Sequence, residues 1–178
     1  MILMENAQNP WSLPVAVDDI PDTGLHIEAE APAEVRAQLV KLANLRDLPR
    51  LSAVFDLARR RGGVHVTGQV KARIGQTCVV TLEPLENDLD EPIDLLFAPP
   101  LHAAAKDDGV DHKAGDEEPP EPLVDGKVDL GAIATEFLLL GIDPYPRKAG
   151  AEFAAVKTAD DSARPFAALE ALKKRLGG

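Results

Sequence analysis

The chain has 178 residues, with 30 Asp and Glu against 19 Lys and Arg, for a formal net charge of −11. That length supports one domain whose core needs neither disulfide nor metal, and 45% hydrophobic residues argue against wholesale disorder. The acidic balance disfavours non-specific nucleic-acid binding, which relies on Lys and Arg neutralising phosphate, and a lone cysteine, Cys78, excludes an internal disulfide or a cysteine-rich zinc site.

The opening Met1-Ile2-Leu3-Met4-Glu5-Asn6 lacks the basic and apolar regions of a signal peptide. No apolar run approaches the roughly 18 residues that would span a bilayer. A reduced cysteine and no leader make the cytoplasm the expected compartment. Aromatic residues are 4% of the chain, so the core must come from Val, Leu, Ile and Ala.

Trp11 to Val17 and Gly24 to Glu30 are bounded by Pro, Asp and Gly and read as two strands. Pro32 to Ala43 reads as a helix: Val35, Leu39, Leu42 and Ala43 make one apolar stripe, and Asn44 is a stop signal. Leu51 to Arg60 reads as a strand with Leu51, Ala53, Phe55 and Leu57 on one face. Arg61-Gly62-Gly63 supplies a tight turn. Val64 to Ile74 then alternates over eleven residues, with Val64, Val66, Gly68, Val70, Ala72 and Ile74 on one face and His65, Thr67, Gln69, Lys71 and Arg73 on the other. Such a period of two marks an antiparallel sheet with one buried and one wet face. Gln76 to Glu83 and Asn87 to Phe97 read as two further strands joined by Pro84-Leu85-Glu86.

Residues 99–122 change character. The stretch from Pro99 to Gly126 holds eight Asp or Glu and two Lys, with few large apolar residues. It reads as a long acidic loop that buries too little surface to offset its ordering entropy. Leu123 to Val128 reads as a short edge strand. Asp129 suits an N-cap, and Leu130, Ile133, Ala134, Phe137 and Leu138 give a core-packed helix ending near Gly141. Asp143-Pro144-Tyr145-Pro146-Arg147 is a rigid extended segment, because each residue before a proline is held out of the helical region. Residues 148–178 form a polar tail. Within it, Pro165 to Leu176 reads as a short helix with Phe166, Leu169, Leu172 and Leu176 on one side. The predicted fold is a single α+β domain over residues 1–178: an antiparallel meander, open to curling into a barrel, with two to three packed helices.

No catalytic constellation emerges. There is no Gly-x-Ser-x-Gly, Walker loop or Gly-x-Gly-x-x-Gly, and Cys78 falls on the apolar side of a predicted strand, as a buried structural cysteine does. His26, His65, His102 and His112 lack metal-ligand spacing. The carboxylate pairs Glu83 with Glu86 and Asp88 with Asp90 have no apolar surroundings to raise a pKa. No catalytic residue, metal or cofactor is expected. Two surface features remain. Arg59, Arg60, Arg61, Lys71 and Arg73 form a basic patch, to be read either as a phosphate-contacting surface or as a solvated outer face. Asp143, Tyr145 and Arg147 form the other, either a cap with Tyr145 packed inside or a presented recognition element.

Three blocks carry a resemblance. They are Gln76-Thr77-Cys78-Val79-Val80-Thr81-Leu82-Glu83-Pro84, the run from Val128-Asp129-Leu130-Gly131 to Asp143-Pro144-Tyr145-Pro146-Arg147-Lys148, and Pro165-Phe166-Ala167-Ala168-Leu169-Glu170-Ala171-Leu172-Lys173. Together they resemble the YceD family (large ribosomal RNA subunit accumulation protein) in its alphaproteobacterial form. The resemblance implies a non-enzymatic role in the accumulation of large-subunit (23S) ribosomal RNA during ribosome biogenesis. It implies ribosomal RNA or a ribosome-assembly protein as partner, and no membrane. Many relatives carry a Cys-x-x-Cys-like pair around the position of Cys78, with further cysteines downstream. Cys78 stands alone, so zinc binding does not carry over. The other expectation is an adaptor that binds a basic ribosomal protein or a processing nuclease through the acidic loop and the Pro-Tyr-Pro segment.

Overall fold

The alternation in the middle of the chain becomes three long antiparallel strands in a computed structural model, which describes residues 9–60, 63–99 and 120–152. In chain order the elements are β1 (Pro14–Ala16), β2 (Leu25–Glu30), α1 (Ala33–Leu42), β3 (Asp47–Arg60), β4 (Gly63–Thr77), β5 (Pro84–Ala98), β6 (Glu121–Pro122), β7 (Lys127–Asp129) and α2 (Leu130–Gly141). The main sheet has the order β2-β3-β4-β5-β6, antiparallel except for the short parallel pair β5–β6, and β1 pairs with β7 in a separate two-stranded ribbon. The sheet is not closed into a barrel: β2 and β6 remain its edges. Helices cover the inner face, α1 against β3 and α2 across β4 and β5, so the sheet need not curl on itself to bury its apolar side.

The predicted faces of β3 and β4 hold. Leu51, Ala53, Phe55 and Leu57 are buried, as are Val64, Val66, Val70, Ala72 and Ile74. They pack with Leu39 of α1 and with Leu130, Ile133, Ala134 and Leu138 of α2. Gly68 has a steric reason: a Cβ there would collide with the carbonyl oxygen of Val54 on β3. The α1 terminus is also as read. Asn44 takes φ 51°, its N–H reaches Lys41 O, and Leu45 N–H reaches Val40 O at 3.0 Å, which satisfies the last carbonyls of the helix.

Four readings are corrected. The predicted strand over 76–83 does not exist. β4 runs on through Thr77, a turn occupies 78–83, and β5 already starts at Pro84, so 84–86 is strand and not loop. Cys78 N–H bonds Glu83 O at 2.9 Å and Leu82 N–H bonds Cys78 O at 3.0 Å. A turn built from Val79, Val80, Thr81 and Leu82 imitates a strand in sequence, because it lacks the usual Gly or Asn. The first strand shrinks to three residues followed by a 3-10 turn at Val17–Asp19. The predicted edge strand over 123–128 is split: Asp125 and Gly126, with φ 51° and 66°, make a tight turn closed by the Val124–Lys127 bridge, as an Asp-Gly pair favours. β3 begins at Asp47, four residues early, through an irregularity between Asp47 and Arg50 that accommodates Pro49. The helix predicted over 165–176 and most of the acidic loop lie outside the described residues.

α2 is seated by one carboxylate. Asp129 Oδ1 accepts from Gly131 N–H at 3.0 Å and Ala132 N–H at 3.1 Å, capping the helix. The same oxygen accepts from Leu13 N–H at 2.8 Å, and Oδ2 accepts from the Ser12 hydroxyl at 2.6 Å. The N-terminal segment is thereby fixed to the start of α2, close enough that a Cβ on Gly131 would sit 2.6 Å from Trp11 O. Asp129→Ala is expected to lower the unfolding free energy by about 2 kcal/mol, the upper end for a lost cap. Urea denaturation checks this, and a loss below about 0.5 kcal/mol would show that Asp129 is not the joint.

Candidate functional site

Strand alternation sorts the basic candidates onto two faces. Arg60, Lys71 and Arg73 point to the outer face of the sheet, where Arg73 lies opposite Arg50 and Lys71 opposite Ser52 in the β3–β4 register. Arg59 lies opposite Val64, on the inner side, and its Nη2 donates to the Asp18 carbonyl at 2.5 Å. Arg59 therefore does not join Lys71 and Arg73, because adjacent strand residues face opposite ways. Arg61 is outside the described residues.

The outer face is of mixed sign. β5 sets an aspartate beside each basic group of β4. Arg73 donates to Asp88 through Nε at 2.8 Å and Nη2 at 2.9 Å. Lys71 Nζ lies 3.8 Å from Asp90, and His65 Nε2 lies 2.7 Å from Asp94. On β2 and β3, His26 Nδ1 meets Asp56 at 2.7 Å and Nε2 meets Glu28 at 3.5 Å. The Asp56 bond first, then that to Glu28, raises the His26 pKa above its ordinary value. The Arg73 bonds lower the Asp88 pKa. These are exposed pairs, screened by solvent, whose value lies in keeping the face soluble and in register. Lys71 and Arg73 are thus each matched by a carboxylate, which weakens the positive field that β4 offers to phosphate.

A second site lies at the β4–β5 turn, where the chain after α2 folds back. Gln76 Nε2 donates to Asp143 O at 2.8 Å, and Gln76 Oε1 accepts from Asn87 Nδ2 at 3.0 Å. Val79 N–H donates to Pro146 O at 2.9 Å. Lys148 binds twice: its N–H donates to Cys78 Sγ at 3.3 Å, and its Nζ lies 2.8 Å from Glu83 Oε2. Asp143 Oδ1 accepts from Tyr145 N–H at 2.8 Å. The segment is therefore rigid as predicted, yet Tyr145 is not packed inside. It is 71% exposed, and on the turn Leu82 is 75% exposed at a φ of 61°, a conformation bulky residues seldom adopt.

Cys78 is the hub of this clamp. It sits in the turn and not in a strand, fully buried, with Sγ accepting from Lys148 N–H and from Thr81 N–H at 3.4 Å. These donors, Lys148 first, lower its pKa to about 6 against the opposing effect of burial. The sequence reading missed this role because the second donor comes from 70 residues away. Zinc does not fit here. The groups around Sγ are backbone N–H donors, which cannot ligate a cation, and among the described residues no three His, Cys, Asp or Glu gather as a metal would need.

The comparisons bear on the turn and all that follows it. A family model described as "Large ribosomal RNA subunit accumulation protein YceD" matches residues 66–173, more than half of the chain. The chain belongs to the YceD family. Neither the comparison with curated proteins nor that with solved structures returns a match. In this YceD-family chain the matched region includes β5, α2 and the whole Cys78–Lys148 clamp. Among the described residues, no helix is long and apolar enough to cross a membrane.

A thiol pKa depressed in the folded state stabilises the fold above the unfolded value, near about 8.5. That contribution is lost as pH falls through about 6. Across this window the melting temperature of the wild type should rise relative to that of Cys78→Ser. Parallel melting curves at each pH would show instead that Sγ is not held as thiolate.

Proposed function

We propose that this protein is a non-enzymatic, cytoplasmic factor that supports accumulation or processing of 23S ribosomal RNA in ribosome biogenesis. The observation that carries the reading is the family match over residues 66–173, whose description ties the family to accumulation of the large ribosomal RNA subunit. In this reading the protein acts through surface contacts. The buried Cys78 is not available as a nucleophile, since a thiolate must be reached to attack. The expected phenotype of deletion is a lowered ratio of 23S to 16S ribosomal RNA, read by electrophoresis of total RNA. An unchanged ratio under growth that makes the protein would sink the reading.

Two contact modes remain open within it. In the first, Arg60, Lys71 and Arg73 meet RNA phosphates. In the second, the protein is an adaptor that binds a basic ribosomal protein or a processing nuclease through the acidic loop and the Asp143–Arg147 segment. Two observations favour the adaptor. The carboxylates of β5 sit beside the cations of β4, and Tyr145 is presented on a backbone fixed at both ends, so little loop entropy is lost on docking. Tyr and Arg are the residue types that most often dominate protein interfaces. The combined variant Tyr145→Ala, Arg147→Glu is expected to lose the captured protein in a crosslinked pull-down while Lys71→Glu, Arg73→Glu keeps it. The opposite pattern, with RNA crosslinks lost in the Lys71 and Arg73 variant, would return the function to direct RNA contact.

A further inference from the structure

α2 covers the sheet with one side only. Leu130, Ile133, Ala134 and Leu138 are buried, which leaves Glu136, Phe137, Leu139 and Leu140 on its outer side. Glu136 is the one charged residue of this helix, and Leu140 is 72% exposed. The outer side of a surface helix is normally charged and polar. Beside it runs a groove of about 540 Å³ between α2 and the β5–β6 edge of the sheet. Leu95, Phe97, Val124, Phe137 and Leu140 give the groove apolar walls. Its exposed charges are three carboxylates, Glu121, Asp125 and Glu136, against one cation, Lys127. Asp129 lies at one end, with its carboxylate already engaged in the α2 cap.

We propose that this groove is a docking site for a basic amphipathic helix of a partner protein. The apolar side of that helix packs on Leu95, Phe97, Phe137 and Leu140, and its Lys or Arg residues face Glu121, Asp125 and Glu136. Charge selects the sign of the partner, since a mostly acidic rim attracts cations and repels an acidic chain. Length suits a helix. The groove is lined from Asp129 to Leu140, about 16 Å along α2, which a partner helix of about eleven residues would fill. An added strand fits less well. The sheet edge here is β6, two residues long, and its Pro122 has no N–H to donate. Side-chain packing is the contact on offer, as when an amphipathic helix lies in a groove. A second copy is disfavoured, because a symmetric pairing of this groove with itself would bring the Glu121, Asp125 and Glu136 carboxylates of both copies together. The groove shares no residue with the Asp143–Arg147 segment, so the proposal stands or falls apart from contacts made there.

A synthetic peptide tests the site. It has about 14 residues, leucine and lysine only, with the leucines at helical spacing and a fluorophore at one end. A twin carries glutamate in place of lysine. In anisotropy titrations the full chain should bind the lysine peptide at least about tenfold more tightly than its twin. Leu140→Gln changes an exposed position outside the core. That variant, and Glu121→Lys with Glu136→Lys, should each weaken binding about tenfold. Glu28→Lys with Glu30→Lys makes the same change in net charge on β2, at the opposite edge of the sheet. It should leave binding within about twofold, since charges beyond a Debye length are screened. An equal loss in that control would reveal only the general attraction of a cationic peptide to an acidic protein, and would overturn the proposal. So would no binding to the wild type, or no effect of Leu140→Gln. A wild type that sediments as a dimer and a Leu140→Gln variant that sediments as a monomer would give the groove to a second copy, and would overturn it as well.

Discussion

One constraint organises this molecule: three long antiparallel strands are apolar on one face only, and that face must be covered. β3, β4 and β5 carry their Val, Leu, Ile, Ala and Phe side chains inward, and the sparse aromatic content leaves the aliphatic stripe as the main source of burial. The cover comes from α1 and α2, which approach from opposite ends of the sequence. Their placement is a matter of hydrogen bonds at their ends. Asn44 stops α1 in a left-handed turn. Asp129 starts α2 and holds the N-terminal segment beside it.

The same logic separates the two surfaces. The outer sheet face has nothing to bury, so its side chains settle into cross-strand pairs of opposite sign, Arg73 with Asp88 and Lys71 with Asp90 among them. Such pairs set register and solubility more than they add stability. The β4–β5 turn behaves differently. There a buried sulfur, two backbone N–H bonds, the Gln76 amide and one ion pair hold a proline-rich segment against a hairpin. The exposed Leu82 and Tyr145 ride on this clamp. Hydrogen bonds to one sulfur thus join two stretches 70 residues apart in the chain.

Periodicity was enough to read the sheet faces and both described helices, because each depends on residues close together in sequence. Leu51 to Leu57 and Val64 to Ile74 alternate without interruption, and Asp129 stands at the N-cap position whatever the tertiary fold. The resemblance of three blocks named the family, and the family match bears it out. What periodicity misread was the turn at 78–83, whose β-branched residues look like strand, and the Asp125-Gly126 turn, hidden by the acidic run before it.

Tertiary structure alone decided the character of the sites. Sequence alternation put Lys71 and Arg73 on a polar face, but only the β4–β5 register could show an aspartate beside each, since the partners are 19 and 15 residues away along the chain. Sequence gave Tyr145 its two prolines. Its exposure follows from Gln76, Val79 and Cys78 gripping the backbone on either side. The chain itself determined that a one-sided sheet would form and need a cover, because burial follows local pattern. Which charges cancel, which thiol is held and which ring faces solvent depend on groups far apart in sequence, and those meet only in the folded protein.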